Sequence, residues 1–365
     1  MAVAFVSNRG GSGKSTLAAQ LGALCAQRAP GTQVLVLDCS IQASASEQLL
    51  GGCQEPLATT AGVATRGWET LKALDPAKTA AGLLEAAARE ADADEAAPPA
   101  AGWFGWMSPK KAPAKPAPLD WAAHAVRGVD AYPAGGAPPN LFLAAGGEGL
   151  LGAMGAQTRE AKAAAARVAV RLRACFARAG PGLLVLIDTD AEVSERLPSL
   201  VGLAAAARLV VLTSTHWPDT TRLFTDKVNG LFHPEVGVVT GLAEAANAPP
   251  AEVACVVFNK VQLTKNEPAG GLPFTAPAAT QQAVRDIMAY LEAKQTSPRG
   301  PRFAAVPGRP FFDAHVTALR AVPDTGMQRC LYEGQPLCAA QGRTAPEQGA
   351  LDNLAAVGQA LKLLP

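Results

Sequence analysis

Short apolar runs alternate along the chain with longer stretches in which apolar and polar positions recur at helical spacing. Each run has the length of a strand buried on both faces, and strand–helix alternation is typical of a parallel sheet. We therefore predict an α/β fold, with a mostly parallel twisted sheet and helices on both faces. The predicted strands are 2–6, 33–38, 140–144, 183–188, 208–214, 252–261 and 303–306. The predicted helices are 17–28, 79–89, 158–178, 193–203, 219–232, 278–294 and 351–364.

One segment departs from this alternation. Residues 88–139 are rich in alanine and proline, begin acidic, turn basic, and show helical or strand periods only in fragments. Such a composition resists packing into a core, so we predict a flexible insertion. Its apolar cluster Trp103-Phe104-Gly105-Trp106-Met107 either docks on a partner or a membrane surface, or folds back on the core.

The segment between the first strand and the first helix has the composition of a phosphate-binding loop. Its glycines let backbone N–H groups turn around a polyphosphate, Lys14 supplies a point charge, and Ser15 can ligate Mg²⁺. The following helix adds the positive end of its dipole. A merely glycine-rich turn explains poorly why Lys, Ser and Thr stand at the helix start. The predicted nucleotide-binding residues are Gly10, Gly11, Ser12, Gly13, Lys14, Ser15 and Thr16.

The loop differs from a standard G-x-x-x-x-G-K-[ST] motif at its beginning. Asn8 stands where that motif has glycine, and the basic residue Arg9 follows it. This pattern resembles the deviant Walker A motif of the ParA/MinD family of dimerising P-loop ATPases. The resemblance implies that Arg9 reaches across a dimer interface to the partner's nucleotide and acts in catalysis, as an arginine finger would. The alternative is that Arg9 faces solvent.

The strand 33–38 ends in a carboxylate, Asp38, as expected for a buried strand whose carboxyl end faces a ligand. The residues that follow are similar to the family's D-x-D-P-Q segment, which implies a metal and catalytic role for Asp38. Gln42 matches the segment, but Ser40 replaces its water-orienting aspartate and Ile41 its proline. Because a hydroxyl cannot polarise water as a carboxylate does, we expect hydrolysis to be slow or served by another group.

The strand 183–188 resembles a Walker B motif, which implies that its terminal Asp188 belongs to the Mg²⁺ site. Two acidic residues follow it, Asp190 and Glu192, and either could replace the missing catalytic carboxylate. The alternative for Asp190 is an N-cap of the predicted helix 193–203.

Asn259 follows the apolar run 253–258 of the predicted strand 252–261, and the resemblance implies that it reads the nucleotide base. A guanine reader of the N-K-x-D type would need Asp at position 262, where the chain has Gln262, so adenine is favoured. By resemblance, the loop with Pro307 closes over the base. Asn259 as a simple turn residue remains the alternative.

The net charge of +1 gives no global field that would attract nucleic acid. ParA relatives bind DNA nonspecifically through basic residues late in the chain, and this chain has arginines there that would make a salt-sensitive phosphate contact, unless they are ordinary surface residues. They are Arg285, Arg299, Arg302, Arg309, Arg320 and Arg329. Lys362 is the only basic residue in 351–365, which does not favour a MinD-type membrane anchor.

The sequence begins directly with a predicted strand, and its apolar runs are shorter than the roughly 18 residues that a membrane span needs. Its seven cysteines include no C-x-x-C pair, and its four histidines form no ligand spacing. We expect reduced thiols in a cytoplasmic protein, which the resemblance would also allow to associate with the nucleoid.

The resemblance implies one P-loop ATPase domain over residues 1–365, with ATP and Mg²⁺ as its cofactors. It implies a homodimer that forms on ATP binding, a small activating partner protein, and a function in positioning plasmid, chromosome or other cellular cargo. We also consider a pseudo-ATPase that serves as a nucleotide-binding scaffold. A third hypothesis is a biosynthetic ligase or kinase of the dethiobiotin or cobyrinate type on the same fold.

Overall fold

The computed structural model describes most of the chain, with gaps. The described residues are 1–7, 10–52, 67–95, 118–131, 136–153, 159–190, 197–224, 249, 251–259, 261, 276–295, 302–319, 326, 330 and 333–364.

Eight strands form one sheet in the order β3-β4-β2-β5-β1-β6-β7-β8. All neighbouring strands run parallel except β3 and β4, which pair antiparallel at one edge. The strands are β1 (Ala2–Val6), β2 (Gln33–Asp38), β3 (Val126–Arg127), β4 (Leu141–Ala144), β5 (Leu183–Asp188), β6 (Arg208–Thr213), β7 (Glu252–Asn259) and β8 (Val316–Leu319).

Twelve helices are described around this sheet, together with 3₁₀ turns at Pro76–Lys78, Trp121–His124 and Gly180–Gly182. The first six are α1 (Lys14–Arg28), α2 (Ser44–Leu49), α3 (Gly67–Ala73), α4 (Ala80–Glu95), α5 (Gly128–Ala131) and α6 (Gly149–Ala153). The others are α7 (Arg159–Ala179), α8 (Leu197–Ala205), α9 (Trp217–Arg222), α10 (Ala278–Gln295), α11 (Phe311–His315) and α12 (Ala345–Ala360).

Each face of the sheet carries its own hydrophobic core. Successive side chains of a strand point to opposite faces, so Ala4 and Val6 of β1 enter one core while Val3 and Phe5 enter the other. The first core is covered by α4, α7, α8 and α10, and the second by α1, α2 and α12. The prediction of a mostly parallel α/β sheet with helices on both faces is therefore confirmed.

The prediction of a late strand at 303–306 is wrong. Phe303 makes only an isolated bridge to Val253, and the edge strand is β8, which begins at Val316. The last helix also begins earlier than predicted, because Thr344 and Glu347 form a capping box before α12.

The predicted insertion 88–139 overlaps described helices and strands at both of its ends. Helix α4 continues to Glu95, and the chain from Pro118 leads into a 3₁₀ turn and the edge strand β3. Residues 96–117, which contain Trp103 and Trp106, lie outside the described residues. No helix of the described part is long and apolar enough to cross a membrane.

Candidate nucleotide-binding site

The candidate site lies at the carboxyl ends of the three central strands. Strand β5 is hydrogen-bonded to β2 on one side and to β1 on the other, and the P-loop follows β1. Asp38 and Asp188 are register partners across β2 and β5. The sheet thus brings the P-loop and both predicted carboxylates to one edge, where ligands of open α/β sheets bind.

The P-loop has the backbone that its glycines permit. Gly11 and Gly13 adopt positive φ angles of 67° and 87°, which other residues rarely tolerate. Lys14 begins α1 with a largely buried side chain, and its Nζ donates to the Ser7 hydroxyl at 2.7 Å. The Ser12 hydroxyl donates to the same oxygen at 2.7 Å.

Ser7 is a residue that sequence reasoning missed. The only sequence feature that could have marked it is its position, as a polar residue between an apolar strand and the P-loop. Arg9 lies outside the described residues, so its role across a dimer interface stays a prediction.

Asn259 touches the P-loop directly. Its side-chain amide donates to the backbone carbonyl of Ser12, and a methyl group added to Gly13 would lie 2.7 Å from the amide nitrogen. The end of β7 therefore braces the loop, and the positive φ of Gly13 favours glycine at that position. The predicted reading of the base by Asn259 stays a prediction.

Pro307 is not brought to the P-loop by any described contact. It lies exposed between Phe303, which pairs with Val253, and β8, whose first residue pairs with Val256. Both register positions precede Asn259 along β7, so its predicted closure over the base stays a prediction.

Asp38 anchors a loop. It is fully buried, and Oδ1 accepts from the Ser40 N–H at 2.9 Å. Its Oδ2 accepts from the Ser46 N–H at 3.0 Å and from the Ser46 hydroxyl at 2.7 Å. Burial raises the pKa of Asp38 to about 6; the hydrogen bonds from Ser46 and Ser40 oppose the rise, and the charge of Asp190 adds to it.

The anchored loop also holds the chain after β4. Gly146 N–H donates to the Ser46 hydroxyl at 2.9 Å. A methyl group on Gly146 would lie 2.5 Å from the Ser40 carbonyl oxygen and 2.8 Å from Asp38 Oδ1. Sequence reasoning missed this close approach, although the Gly-Gly-Glu-Gly run after the predicted strand 140–144 was its signal.

Asp188 has the opposite surroundings. It is fully buried, and neither carboxylate oxygen accepts a hydrogen bond of normal geometry from the described residues, although the Ser15 hydroxyl and the Thr189 N–H lie near enough to favour its charged form. Burial and the charge of Asp38 raise the pKa of Asp188 to about 8, against the opposing effects of the Ser15 hydroxyl and the Lys14 ammonium.

These surroundings fit the predicted magnesium ion. Two buried carboxylates with one unpaired member are electrostatically incomplete, and a hard cation with oxygen ligands completes them. Asp188 and Ser15 would hold such an ion, and the charge of Asp38 would add to its attraction. When bound, Mg²⁺ would neutralise phosphate charge.

Asp190 lies beside Ser40. The Ser40 hydroxyl donates to Asp190 Oδ1 at 3.0 Å, although the two residues are 150 positions apart. Ser199 Oγ accepts from the Asp190 N–H at 3.0 Å. It also lies 3.2 Å from the Cys39 carbonyl oxygen and 3.4 Å from Asp190 Oδ2, and its single proton is shared between them.

The helix predicted after Asp190 begins at Leu197, and residues 191–196 lie outside the described part of the chain. Glu192 is among those residues. The described contacts of the Asp190 carboxylate are those with Ser40 and Ser199. Sequence reasoning named Asp190 but missed Ser199, which no motif marks.

The described cysteines are all buried and free of disulfides: Cys25, Cys39, Cys175, Cys255, Cys330 and Cys338. In the described residues no group of three or more His, Cys, Asp or Glu side chains could hold a metal ion by itself. A Mg²⁺ ion at this site would therefore depend on phosphate and hydroxyl oxygens as well.

Comparison with known protein families agrees with this site. The family model of the CobQ/CobB/MinD/ParA nucleotide binding domain matches residues 3–270. The chain belongs to this family, as the P-loop resemblance predicted. Among curated proteins, none matches the sequence.

Several solved structures have the same fold. An ATP complex of a Cyanothece McdA variant shares 16% identity and covers 99% of this chain and 96% of its own, with a TM-score of 0.50. Apo McdA of Cyanothece gives 17% identity, coverages of 99% and 98%, and a TM-score of 0.50. The pNOB8 ParA bound to nonspecific DNA shares 14% identity and covers 99% of this chain and 97% of its own, with a TM-score of 0.50. At these identities the likeness shows the fold alone.

Proposed function

We propose that this protein is a ParA-like ATPase that dimerises on binding ATP and positions or partitions plasmid, chromosome or other cargo in the cytoplasm. The observation that carries the proposal is the pairing of a formed P-loop with the buried carboxylate of Asp188, which accepts no hydrogen bond of normal geometry from the described residues. A polyphosphate with Mg²⁺ satisfies both, since the loop offers N–H groups and Lys14 while the carboxylate requires a cation.

The dimer follows from Arg9 by resemblance. A second basic residue in the P-loop is not needed to bind nucleotide from within one subunit, where Lys14 already supplies the charge. A planar guanidinium can instead bridge the phosphates of a facing subunit. We therefore propose a homodimer that closes around two nucleotides and opens after hydrolysis, which a small partner protein stimulates.

Nonspecific DNA binding is an extension of this proposal. Arg285, Arg302 and Arg309 lie in the described part of the last third, and Arg302 and Arg309 are exposed. Guanidinium contacts with phosphate would be insensitive to sequence and weakened by salt.

Ser40 favours the second candidate, a pseudo-ATPase scaffold, because the family's water-orienting aspartate is missing at that position. The scaffold would bind ATP and dimerise but would not turn over. Phosphate release under saturating ATP and Mg²⁺ separates it from the ATPase.

A cleft of ≈ 500 Å³ lies beside the loop that Asp38 holds between Ser40 and Ser46, and it favours the third candidate, a small-molecule ligase or kinase. It lies between α3, α4 and the start of α6, with Leu71, Leu74 and Leu150 beside charged Lys72 and Arg89. An oligomeric state that does not respond to nucleotide would favour this candidate over the ATP-switched dimer.

The experiment that tests the proposal is sedimentation with a nonhydrolysable ATP analogue and Mg²⁺, together with titration of a fluorescent ATP analogue. Wild type should sediment as a dimer only with nucleotide. Lys14→Ala should lose about 10²-fold or more in affinity, because charge-assisted hydrogen bonds to phosphate disappear. Arg9→Ala should bind ATP as a monomer.

Arg28→Ala is the matched control, because Arg28 lies at the opposite end of α1 from the P-loop. It should dimerise like wild type. A wild type that remains monomeric with bound nucleotide would contradict the sandwich, and near-normal affinity in Lys14→Ala would contradict the nucleotide site itself.

A further inference from the structure

We propose that Asp190 is the carboxylate that positions the hydrolytic water, and that Ser40 and Ser199 are positioning residues that hold it. The inference rests on the proposed ATPase function and deepens it. The catalytic carboxylate would have moved from the loop after β2 to the loop after β5.

The geometry places Asp190 where the missing carboxylate would act. Strand β5 lies between β1, which leads into the P-loop, and β2, which leads into Ser40. Asp190 follows the end of β5 by two residues, and its Oδ1 lies 3.0 Å from Ser40 Oγ. One hydrogen bond therefore separates this carboxylate from the position at which the resemblance expects an aspartate.

Asp190 is held but still accessible. Its backbone N–H donates to Ser199, which is fully buried on α8, and its two oxygens contact the hydroxyls of Ser40 and Ser199. Each carboxylate oxygen can accept two hydrogen bonds, so these contacts leave acceptor capacity for a water. Since Asp190 is only partly buried, solvent can reach it.

Asp38 is less suited to this role. It is fully buried, and its oxygens accept three hydrogen bonds from Ser40 and Ser46. Asp188 is also fully buried and belongs to the proposed metal site. Asp190 is the partly exposed carboxylate of the three.

The proposed step is hydrolysis of ATP. A water molecule donates a hydrogen bond to Asp190, and its oxygen forms a bond to the γ-phosphorus. The bond from that phosphorus to the β,γ-bridging oxygen breaks, and its electron pair stays on ADP. The water's proton passes to Asp190 and then to the phosphate, so the products are ADP and inorganic phosphate.

The test measures single-turnover phosphate release alongside affinity for a fluorescent ATP analogue with Mg²⁺. Asp190→Asn should slow release about 10²- to 10⁴-fold, the usual contribution of a water-positioning group, with affinity unchanged. The double variant Asp190→Asn with Ser40→Asp returns a carboxylate to the neighbouring position and should recover much of the rate.

Ser40→Ala tests the positioning role. It should lower kcat about 10-fold with KM for ATP unchanged, because the carboxylate remains but loses a hydrogen bond. Ser40→Thr keeps the hydroxyl and should restore kcat. Asp286→Asn, an exposed carboxylate on α10, is the matched control and should turn over like wild type.

Phosphate release at the wild-type rate from Asp190→Asn would overturn the assignment and leave the nucleotide site standing. The same holds if Glu192→Gln abolishes turnover while Asp190→Asn does not, or if wild type binds ATP without hydrolysing it. A wild type that does not bind ATP would overturn the proposed function and this inference together.

Discussion

Asp38 and Asp188 lie at the same level of neighbouring parallel strands, yet their hydrogen-bonding environments differ. Asp38 accepts three hydrogen bonds, which fix the chain between Ser40 and Ser46. Asp188 accepts none from the described residues. The hydrogen bonds of Asp38 therefore offset part of the cost of burying its charge, whereas Asp188 keeps most of that cost until a cation arrives.

We expect Asp188→Asn to stabilise the protein in EDTA by about 1–3 kcal/mol, because the amide carries no charge for burial and Asp38 to disfavour. The same substitution should abolish the effect of Mg²⁺ on ATP affinity. Urea unfolding with EDTA and nucleotide titration with and without Mg²⁺ measure the two effects.

Asp352→Asn, an exposed carboxylate on α12, serves as the control for this prediction and should change neither quantity. If Asp188→Asn destabilised the protein in EDTA and kept the Mg²⁺ effect, Asp188 would be a structural residue.

Single residues at strand ends were predictable from the sequence, but their contacts were not. An apolar run that closes on Asp38 or Asp188 predicts a carboxylate at the ligand edge, because parallel strands present their carboxyl ends together. The contact between Ser40 and Asp190 joins two loops whose adjacency depends on the strand order, which no local pattern contains. Ser46 and Gly146 meet for the same reason.

At the scale of elements, helix α11 occupies the chain between Phe303 and β8. Its last residue, His315, is buried with ring centroids of Phe303 and Phe311 at 5.1 and 5.0 Å, and His315 Nδ1 lies 3.2 Å from the Ala254 carbonyl oxygen. The sequence predicted a strand near Phe303 because its apolar residues fit one. In the structure Phe303 and Phe311 instead pack around His315 at the end of a helix, and the strand begins after that helix.

Burial lowers the pKa of His315; the hydrogen bond with the Ala254 carbonyl opposes this, and the charge of Arg309 lowers it further. The unfolded chain therefore binds a proton more readily than the folded one, so His315 lowers stability as pH falls through the unfolded pKa. We expect His315→Gln to lose less stability than wild type between about pH 7.5 and about pH 5.

Thermal unfolding over that pH range measures this difference. His124→Gln replaces a less buried histidine and should keep the acid-dependent loss of wild type. If wild type and His315→Gln lost stability in parallel, the acid sensitivity would arise elsewhere in the molecule.

At the scale of the whole molecule, Leu119 connects α4 and α7 just after the Ala/Pro-rich residues 96–117. Leu119 N–H donates to Glu90 on α4 at 3.3 Å, and the Leu119 carbonyl accepts from Cys175 and Arg178 on α7. Composition alone predicts that this segment begins at residue 88, inside α4, because alanines and acidic residues are compatible with both a helix and a disordered chain.

We expect deletion of residues 97–116 to leave the melting temperature and ATP affinity nearly unchanged, because their Ala/Pro-rich composition resists packing into a core. Deletion of 91–118 should lower the melting temperature by about 5 °C or more, since it removes buried Ala91 and the end of α4. Thermal unfolding of both variants decides this. A large loss in the shorter deletion would show that Trp103 and Trp106 are core residues.

Strand β1 lies in the interior of the sheet, and both of its neighbours come much later in the chain. Its partners β5 and β6 follow it by about 180 and about 200 residues. During translation, the strand that precedes the P-loop must therefore wait, unpaired, until more than half of the protein has left the ribosome. This apolar segment is an obvious client for chaperones, and nucleotide cannot assist folding before the central strands have assembled.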